Sequence, residues 1–330
     1  MEAQVIQAAE RELMSETLRR LAEEFDGTQL SEALDDFGFA DLLTHEPRAA
    51  VSSLFDAAGR TGSMPAAFQD VLLLPLAGVL DDVTSAQSVV LPLTGAQLAG
   101  SFDGEAVSLR GLVIGARPAT AFLAPVAMDG QTALVRVADP SAVSTRTVAG
   151  LDPALGMVEV SSSDLPATVL SAGPAAAAGW NAVLTAGRRA LGYQIVGAAT
   201  QMLDLAVAHA RVRVQFGRPI GSFQAVRNRL ADTYVAREAA AAALELAWEA
   251  DDEYLAAMLA KSLAGRAARI AATHCQQVLA GIGFTAEHPF HHFLARALVL
   301  DSVLGSATEL RSAIGAKLVA AETIPRLVEL

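Results

Sequence analysis

Residues 213–224 read RVQFGRPIGSFQ and are the most informative segment of the chain. They place an arginine and an amide directly before a glycine turn, and Phe223 and Gln224 begin the predicted next helix. A guanidinium fork matches a diphosphate bidentately, a helix start offers free backbone N–H groups to an anion, and an aromatic ring can lie on an adenine. From the residues alone, the segment is either an anion site or a packed helical hairpin with a surface arginine.

On either side of this segment the composition changes between zones. Residues 1–78 follow a helical period, with Met14, Leu18, Leu21 and Phe25 on one apolar stripe. Further short helices are predicted there at 30–43, 47–59 and 66–74, the last ended by Pro75.

Residues 79–169 are rich in Val, Gly, Pro, Ser and Thr and predict a small antiparallel barrel or sandwich. Its predicted strands are 106–114, 120–126, 133–137 and 157–160. The remainder of the chain predicts an antiparallel helical bundle, because long helical periods are joined by short loops. Its predicted helices are 180–213, 223–248, 251–279, 289–299 and 307–321.

Composition excludes several classes of protein. The chain has 330 residues, of which 52% are hydrophobic, and a formal net charge of −12 that argues against a nucleic-acid partner. Its single cysteine, Cys275, cannot form an internal disulfide and fits a reducing, cytoplasmic compartment. We expect no targeting segment, because residues 2–25 mix acidic and basic side chains throughout. We also expect no membrane span, because the longest uncharged stretch, 165–187, is broken by prolines and glycines.

Two patterns that could suggest other chemistry are unconvincing. Residues 281–286, GIGFTA, fit a loose G-x-G-x-x-A pattern but follow a predicted helix, whereas a dinucleotide-binding loop follows a strand. His288 and His292 could share a helix face near His291 and hold a metal, but Pro289 starts a helix there and Glu287 would point elsewhere. We interpret the histidines as a polar helix start near a subunit contact and predict no metal.

The motif R-x-Q-F-G-x-x-I-x-x-F-Q, followed by LAD at 230–232, resembles a signature of the acyl-CoA dehydrogenase family. A second block, QVLAGIGFTAEHP at 277–289, ends at Arg296-Ala297 and resembles the family pattern Q-x-x-G-G-x-G-F/Y-x-x-E-x-P. The resemblance implies a mainly α fold with a small β-domain. The expected domains are a helical N-terminal domain at 1–78, a β-domain at 79–169 and a C-terminal four-helix-type bundle at 170–330.

The family resemblance also implies a flavoenzyme that desaturates an acyl-CoA thioester. In such enzymes a glutamate removes the α-proton, the β-hydride goes to FAD, and one subunit holds the diphosphate and adenosine of its neighbour's FAD. Carried over by motif, the expected FAD-binding residues are Arg213, Gln215, Phe216, Gln224, Gln277 and Gly281. By the same count Arg188 is a candidate substrate-binding residue.

Three departures affect the flavin-ring and substrate half. The family's usual glutamate position, counted from Arg296, is occupied by Leu304, and the alternative position before Arg188 is occupied by Gly187. Neither side chain can abstract a proton. The family's central T-E-P-x-x-G-S-D motif is also absent, and its nearest equivalent is VLPLTG at 90–95.

The pattern of matches and departures predicts a subunit that supplies FAD contacts without its own catalytic glutamate. It resembles the short subunits of actinobacterial heteromeric acyl-CoA dehydrogenases, several of which act on steroid side-chain thioesters, so a second family subunit and an oligomer are expected. Two alternatives stay open. One is a self-sufficient homomeric dehydrogenase whose base is displaced to Asp301 or Glu287. The other is a non-enzymatic scaffold or regulatory paralogue.

Overall fold

The computed structural model describes residues 2–115 and 117–322, with side chains from Glu10 onward except Arg11. Met1, Ala116 and 323–330, which belong to the predicted domains, lie outside the described residues. The chain forms a first group of helices, then a sheet, then a long helical bundle. This order confirms the predicted mainly α fold with a small β-domain.

The first group of helices packs against the C-terminal bundle. Its members are α1 Glu2–Glu24, α2 Gly27–Phe37, α3 Phe39–His45, α4 Pro47–Thr61 and α5 Ala67–Ala77. The prediction of one helix over 30–43 is wrong, because Gly38 has a φ of 80° and separates α2 from α3. The prediction that Pro75 ends this helix is wrong, because α5 continues for two residues beyond it to Ala77, and the proline removes only the one intrahelical bond that its own N–H would have made.

In the described part of the chain, nine strands form the sheet. They are β1 Ser88–Val89, β2 Leu91–Pro92, β3 Gly100–Phe102, β4 Ala106–Val113, β5 Phe122–Met128, β6 Gln131–Val137, β7 Ser144–Thr147, β8 Val158–Pro166 and β9 Thr168–Ala172. The spatial order is β7-β8-β4-β3-β5-β6-β9, with β1 on β5 and β2 on β4. The antiparallel expectation is only partly right, because β1 and β3 both run parallel to β5.

The bundle begins with a helix of 39 residues, α6 Pro174–Val212, which starts at a proline suited to the first helical position. It continues with the hairpin β10 Val214–Gln215 and β11 Arg218–Pro219, then α7 Gln224–Leu246, α8 Glu253–Leu279, α9 Phe290–Ser302 and α10 Ala307–Ala321. Single 3₁₀ turns at Ile220–Ser222 and Ala280–Phe284 precede α7 and follow α8.

The two helical groups share one apolar core, to which sheet residues such as Leu123 and Leu134 also contribute, whereas other buried residues of the sheet form a separate cluster. Helices α4 and α6 pack at backbone distance, since a Cβ at Gly59 would lie 2.1 Å from the carbonyl oxygen of Gln194, and one at Gly197 would lie 2.2 Å from that of Asp56. Glycine at both positions therefore permits this contact.

A buried arginine joins all three zones. Arg296 on α9 pairs with Asp152 in the β-domain and donates from Nη1 to the carbonyl oxygen of Ser63, at 2.6 Å. Only 2% of Arg296 is exposed. Because a buried guanidinium needs such partners, this residue ties the sheet to both helical groups.

Candidate functional site

A cavity of about 710 Å³ lies where the first long helix of the bundle gives way to the hairpin. We call it the hairpin cavity. Its walls come from the end of α6, the hairpin, the start of α7 and the end of α8 with the turn that follows. Its lining includes Arg213, Gln215, Phe216, Gln277 and Gly281. The structure therefore brings together five of the six residues expected to bind FAD, and Gln224 begins α7 between the lining residues Phe223 and Ala225.

The hairpin cavity carries positive charge. Arg213 and Arg229 line it beside His209, and none of its lining residues is an aspartate or a glutamate. Within the described residues neither arginine forms an ion pair. Burial, and then the charges of Arg213 and His288, lower the pKa of His209. In a chain with a net charge of −12, this is a local environment suited to an anion.

The hairpin presents an aromatic ring at the edge of this cavity. Phe216 and Gly217 both have positive φ, 50° and 76°, as the two-residue turn of a type I′ hairpin requires. Phe216 is 93% exposed, and its ring meets that of Phe223 edge-on at 6.1 Å. An exposed phenylalanine held in a left-handed conformation is available to stack on a planar ligand.

A second cavity, of about 470 Å³, lies between the sheet and the bundle. We call it the interdomain cavity. It is lined by the loop 92–98, by Trp180 and Arg188 of α6, and by Leu304 and Gly305 before α10. This loop includes residues 92–95 of the VLPLTG segment, which is the nearest equivalent of the family's central T-E-P-x-x-G-S-D motif.

The two expected base positions meet at one place. A Cβ at Gly187 would lie 2.6 Å from Cδ1 of Leu304, 2.9 Å from Cδ2 of Leu72 and 3.9 Å from Cζ of Phe68. Two positions separated by more than a hundred residues thus converge, and apolar side chains fill the space between them. No carboxylate belongs to this contact.

Arg188 and Lys261 hold the segment that carries Leu304. Arg188 donates from Nε to the carbonyl oxygen of Leu304 at 3.1 Å, and its guanidinium lies 4.9 Å from the ring centre of Tyr254. Lys261, which is fully buried on α8, donates from Nζ to the carbonyl oxygens of Asp301 at 2.9 Å and Gly305 at 2.7 Å. Burial lowers the pKa of Lys261 to about 7.

The carboxylates named as alternative bases lie elsewhere. Asp301 is buried and accepts from the backbone N–H of Ala307 at 2.9 Å and from Arg269 at 3.0 Å. Glu287 is exposed in the segment before α9. Neither residue lines the interdomain cavity.

Sequence reasoning missed one carboxylate that does line the interdomain cavity, Glu309. Its Oε2 accepts from the backbone N–H of Ser306 at 2.8 Å in a capping box, and this bond lowers the pKa of Glu309. The S-x-x-E spacing identifies a helix start, but it does not say which cavity that start adjoins. His209 and Arg229 were also missed, and for His209 the available signal was its position one helical turn before Arg213.

His291 and His292, in the first turn of α9, form a close pair of rings with their centroids 3.9 Å apart. Among the residues that the structure describes, no group of three or more His, Cys, Asp or Glu side chains is arranged to hold a metal ion. The helices of the same described ranges include none long and apolar enough to cross a membrane.

The family model of the acyl-CoA dehydrogenase C-terminal domain matches residues 177–319, which include both cavities' bundle walls. The chain is 32% identical over 238 residues to acyl-CoA dehydrogenase FadE27 of Mycobacterium tuberculosis, covering 67% of this chain and 63% of that protein. The chain belongs to the acyl-CoA dehydrogenase family.

Other acyl-CoA dehydrogenases resemble it over different lengths. FadE34 of Mycobacterium tuberculosis is 36% identical over 203 residues, which are 60% of this chain and 27% of FadE34. The chain thus spans less than two thirds of the length of either relative. Among solved structures, one chain of the ChsE4-ChsE5 complex from Mycobacterium tuberculosis superposes on this chain with a TM-score of 0.75 at 25% identity. The match covers 94% of this chain and 93% of that one.

Proposed function

We propose that this chain is a subunit of an FAD-dependent acyl-CoA dehydrogenase that binds the diphosphate and adenosine half of FAD and contributes no catalytic base. A partner subunit of the same family supplies the flavin-ring site and the glutamate. When bound, FAD supplies the acceptor for the hydride that leaves the β-carbon of an acyl-CoA thioester.

The hairpin cavity fits the nucleotide half of this cofactor. Arg213 and Arg229 offer guanidinium forks to a diphosphate, with no carboxylate on the cavity wall to compete. Gln277 offers an amide, and Phe216 offers an exposed ring on which an adenine can stack.

The observation that carries the proposal is the contact of Leu304 with Gly187. Both positions where family members keep a base lie there, and Leu72 and Phe68 close the remaining space. A substrate α-carbon needs a base within hydrogen-bonding reach, and neither residue at these positions is ionisable. The segment that holds Leu304 is nevertheless tied down by Arg188 and Lys261, so its position is well defined.

Similarity to a two-chain complex supports a partner subunit. One chain of the ChsE4-ChsE5 complex matches this chain over nearly its whole length. An assembly of unlike subunits resolves the absence of a base, because the nucleotide contacts of one chain can serve a flavin whose reacting ring lies in the other.

Flavin content and turnover test the proposal. Purified alone, the chain should be colourless and should not oxidise acyl-CoA thioesters with an artificial electron acceptor, even with added FAD. Co-expressed with a partner of its own family, it should form a yellow complex with less than one FAD per subunit. A chain that takes no part in FAD binding in any assembly would instead favour the scaffold alternative.

Glu309 favours a second candidate function, a self-sufficient homomeric dehydrogenase with a displaced base. Its carboxylate lies on the wall of the interdomain cavity. Robust turnover by the lone, FAD-loaded chain would contradict the partner-dependent proposal. Loss of that turnover in Glu309→Gln, but not in Asp301→Asn or Glu287→Gln, would then assign the base.

A further inference from the structure

The hairpin cavity contains a histidine to which the family motif gives no role. His209 lies on the last turns of α6, one turn before Arg213, and both line the same wall. The backbone joins them directly, because the N–H of Arg213 donates to the carbonyl oxygen of His209 at 2.9 Å. Because both residues also line one cavity a single helical turn apart, an anion held by Arg213 lies beside the imidazole.

We propose that His209 is a titratable cation of the hairpin cavity, which takes up a proton when the diphosphate of an adenine nucleotide binds beside Arg213. The inference rests on the proposed binding of the nucleotide half of FAD. It adds a residue to that site and makes nucleotide affinity depend on pH.

The charged groups around His209 determine whether its imidazole is protonated when no anion is bound. Arg213 directly follows the end of α6, Arg229 faces the cavity from α7, and His288 approaches from the segment before α9. No carboxylate lines the cavity, and Glu287, next to His288, is exposed outside it. In the absence of an anion, the neighbouring cations and burial therefore disfavour an imidazolium.

A bound diphosphate reverses this balance. Its two negative charges attract the imidazolium and offset the repulsion from Arg213, so the pKa of His209 rises on binding from its lowered value. Nucleotide affinity consequently increases as the pH falls through the pKa of the bound state. It becomes constant below the pKa of the free state, where both states carry the proton.

The test uses the complex of this chain with its family partner, freed of flavin, and ADP-ribose, which contains the adenosine diphosphate half without a flavin ring. Its doubly esterified diphosphate does not titrate between about pH 5.5 and 8, so any pH dependence belongs to the protein. By titration calorimetry we expect affinity to be roughly fivefold to tenfold higher at about pH 5.5 than at about pH 8. Repeating the titration in buffers of different ionisation enthalpy should reveal proton uptake.

Variants assign the proton. At every pH in this range, His209→Gln should bind ADP-ribose with the affinity that the wild type shows at high pH. His209→Lys should bind at high pH as tightly as the wild type does at low pH. His45→Gln, on the distant helix α3, is the matched control and should titrate like the wild type. If His288→Gln removes the pH dependence while His209→Gln retains it, the assignment to His209 is overturned.

The outcomes separate this inference from the proposed function. Binding that is present, lost in Arg213→Ala and independent of pH would overturn the role of His209 and leave the nucleotide site standing. Absence of ADP-ribose binding at every pH would overturn the proposed nucleotide site, and the role of His209 with it.

Discussion

At the scale of single residues, Arg213 combines an exposed side chain with a fixed backbone. Its N–H donates to His209 at 2.9 Å and its carbonyl oxygen accepts from the N–H of Ile220 at 2.8 Å, so the backbone holds the turn between α6 and the hairpin. The side chain lines the hairpin cavity and takes no part in these bonds. Its replacement should therefore separate ligand binding from folding.

Arg213→Ala should weaken FAD binding by the assembled complex about tenfold to a hundredfold, because a charge-assisted bidentate contact contributes roughly 1.5–3 kcal/mol. Arg213→Lys should restore only part of this affinity, since a point charge replaces a planar fork. Flavin retention and the melting temperature of the flavin-free chain measure the two effects.

Arg211→Ala is the matched control, because Arg211 is an exposed arginine of the same helix end that does not line the cavity. Unchanged FAD retention in Arg213→Ala would refute the assignment. A clear fall in the melting temperature of flavin-free Arg213→Ala would instead indicate that Arg213 stabilises the fold.

Residues that lie close together in the sequence were the ones that sequence reasoning could group. Arg213, Gln215 and Phe216 belong to one motif, and the structure places them in one cavity. The contact of Gly187 with Leu304 could not be read from spacing, because it depends on how α6 packs against the segment before α10. Glu309 was missed for the same reason, since its local pattern specifies a cap and not a neighbour.

At the scale of elements, the segment between α9 and α10 is held by one face of α8. Lys261 donates to the carbonyl oxygens of Asp301, at the end of α9, and of Gly305, and Ser262 donates to that of Ala307, the first residue of α10, at 3.0 Å. Leu304 has a φ of 57°, an unfavourable value for a branched residue that the surrounding bonds maintain. The buried lysine is thus the centre of this arrangement.

Lys261 should make stability depend on pH. Its pKa is about 7 in the folded chain and about 10.5 when unfolded, so between these values the unfolded state binds more protons. The free energy of unfolding should therefore rise with pH across that window, whereas below it both states carry the proton and the contribution of this group no longer changes with pH. Lys261→Met should be less stable throughout, because two carbonyl oxygens lose their donor, and its deficit should grow by about 1–2 kcal/mol from about pH 7 to 9.

Urea unfolding of both proteins over this pH range measures the deficit. Lys317→Met provides the control, since Lys317 is the only other lysine and its side chain is 46% exposed beside Asp252. A deficit that stays constant with pH would mean that Lys261 remains charged when folded, with an ordinary pKa.

The elements themselves were predictable to different degrees. Long helices such as α8 and α10 follow a helical period and begin after the capping residues Asp252 and Ser306, which is why their predicted ranges agree closely with the structure. Two- and three-residue strands such as β1 and β3 carry no periodic signal, and their parallel pairing with β5 depends on the tertiary fold. The close contact of α4 with α6 likewise arises from two glycines that are far apart in the sequence.

At the scale of the whole molecule, the hairpin cavity opens onto an apolar surface. Large exposed side chains surround it: Val212 at 76%, Val214 at 53%, Phe216 at 93%, Ile282 at 42% and Phe284 at 75% exposure. Monomeric proteins rarely leave such a group uncovered, and a ligand with one free end, such as the nucleotide half of FAD, needs a second wall. Both features point to subunit association on the same face.

We therefore expect a dimer or tetramer at micromolar concentration, homomeric when the chain is expressed alone and heteromeric with a family partner in its source cell. A stable interface of this kind buries on the order of 2,000 Å².

Phe284→Ser should weaken association about tenfold to a hundredfold, because burying a phenylalanine contributes roughly 1.5–3 kcal/mol. Leu151→Ser, an equally drastic change at a residue of the β-domain that is 61% exposed, should leave association unchanged. Light scattering measures both variants, and a wild-type monomer near 34.2 kDa would contradict the prediction. Affinity purification from the source cell then decides the composition of the assembly, and recovery of self-copies alone with FAD fully bound would favour the homomeric enzyme.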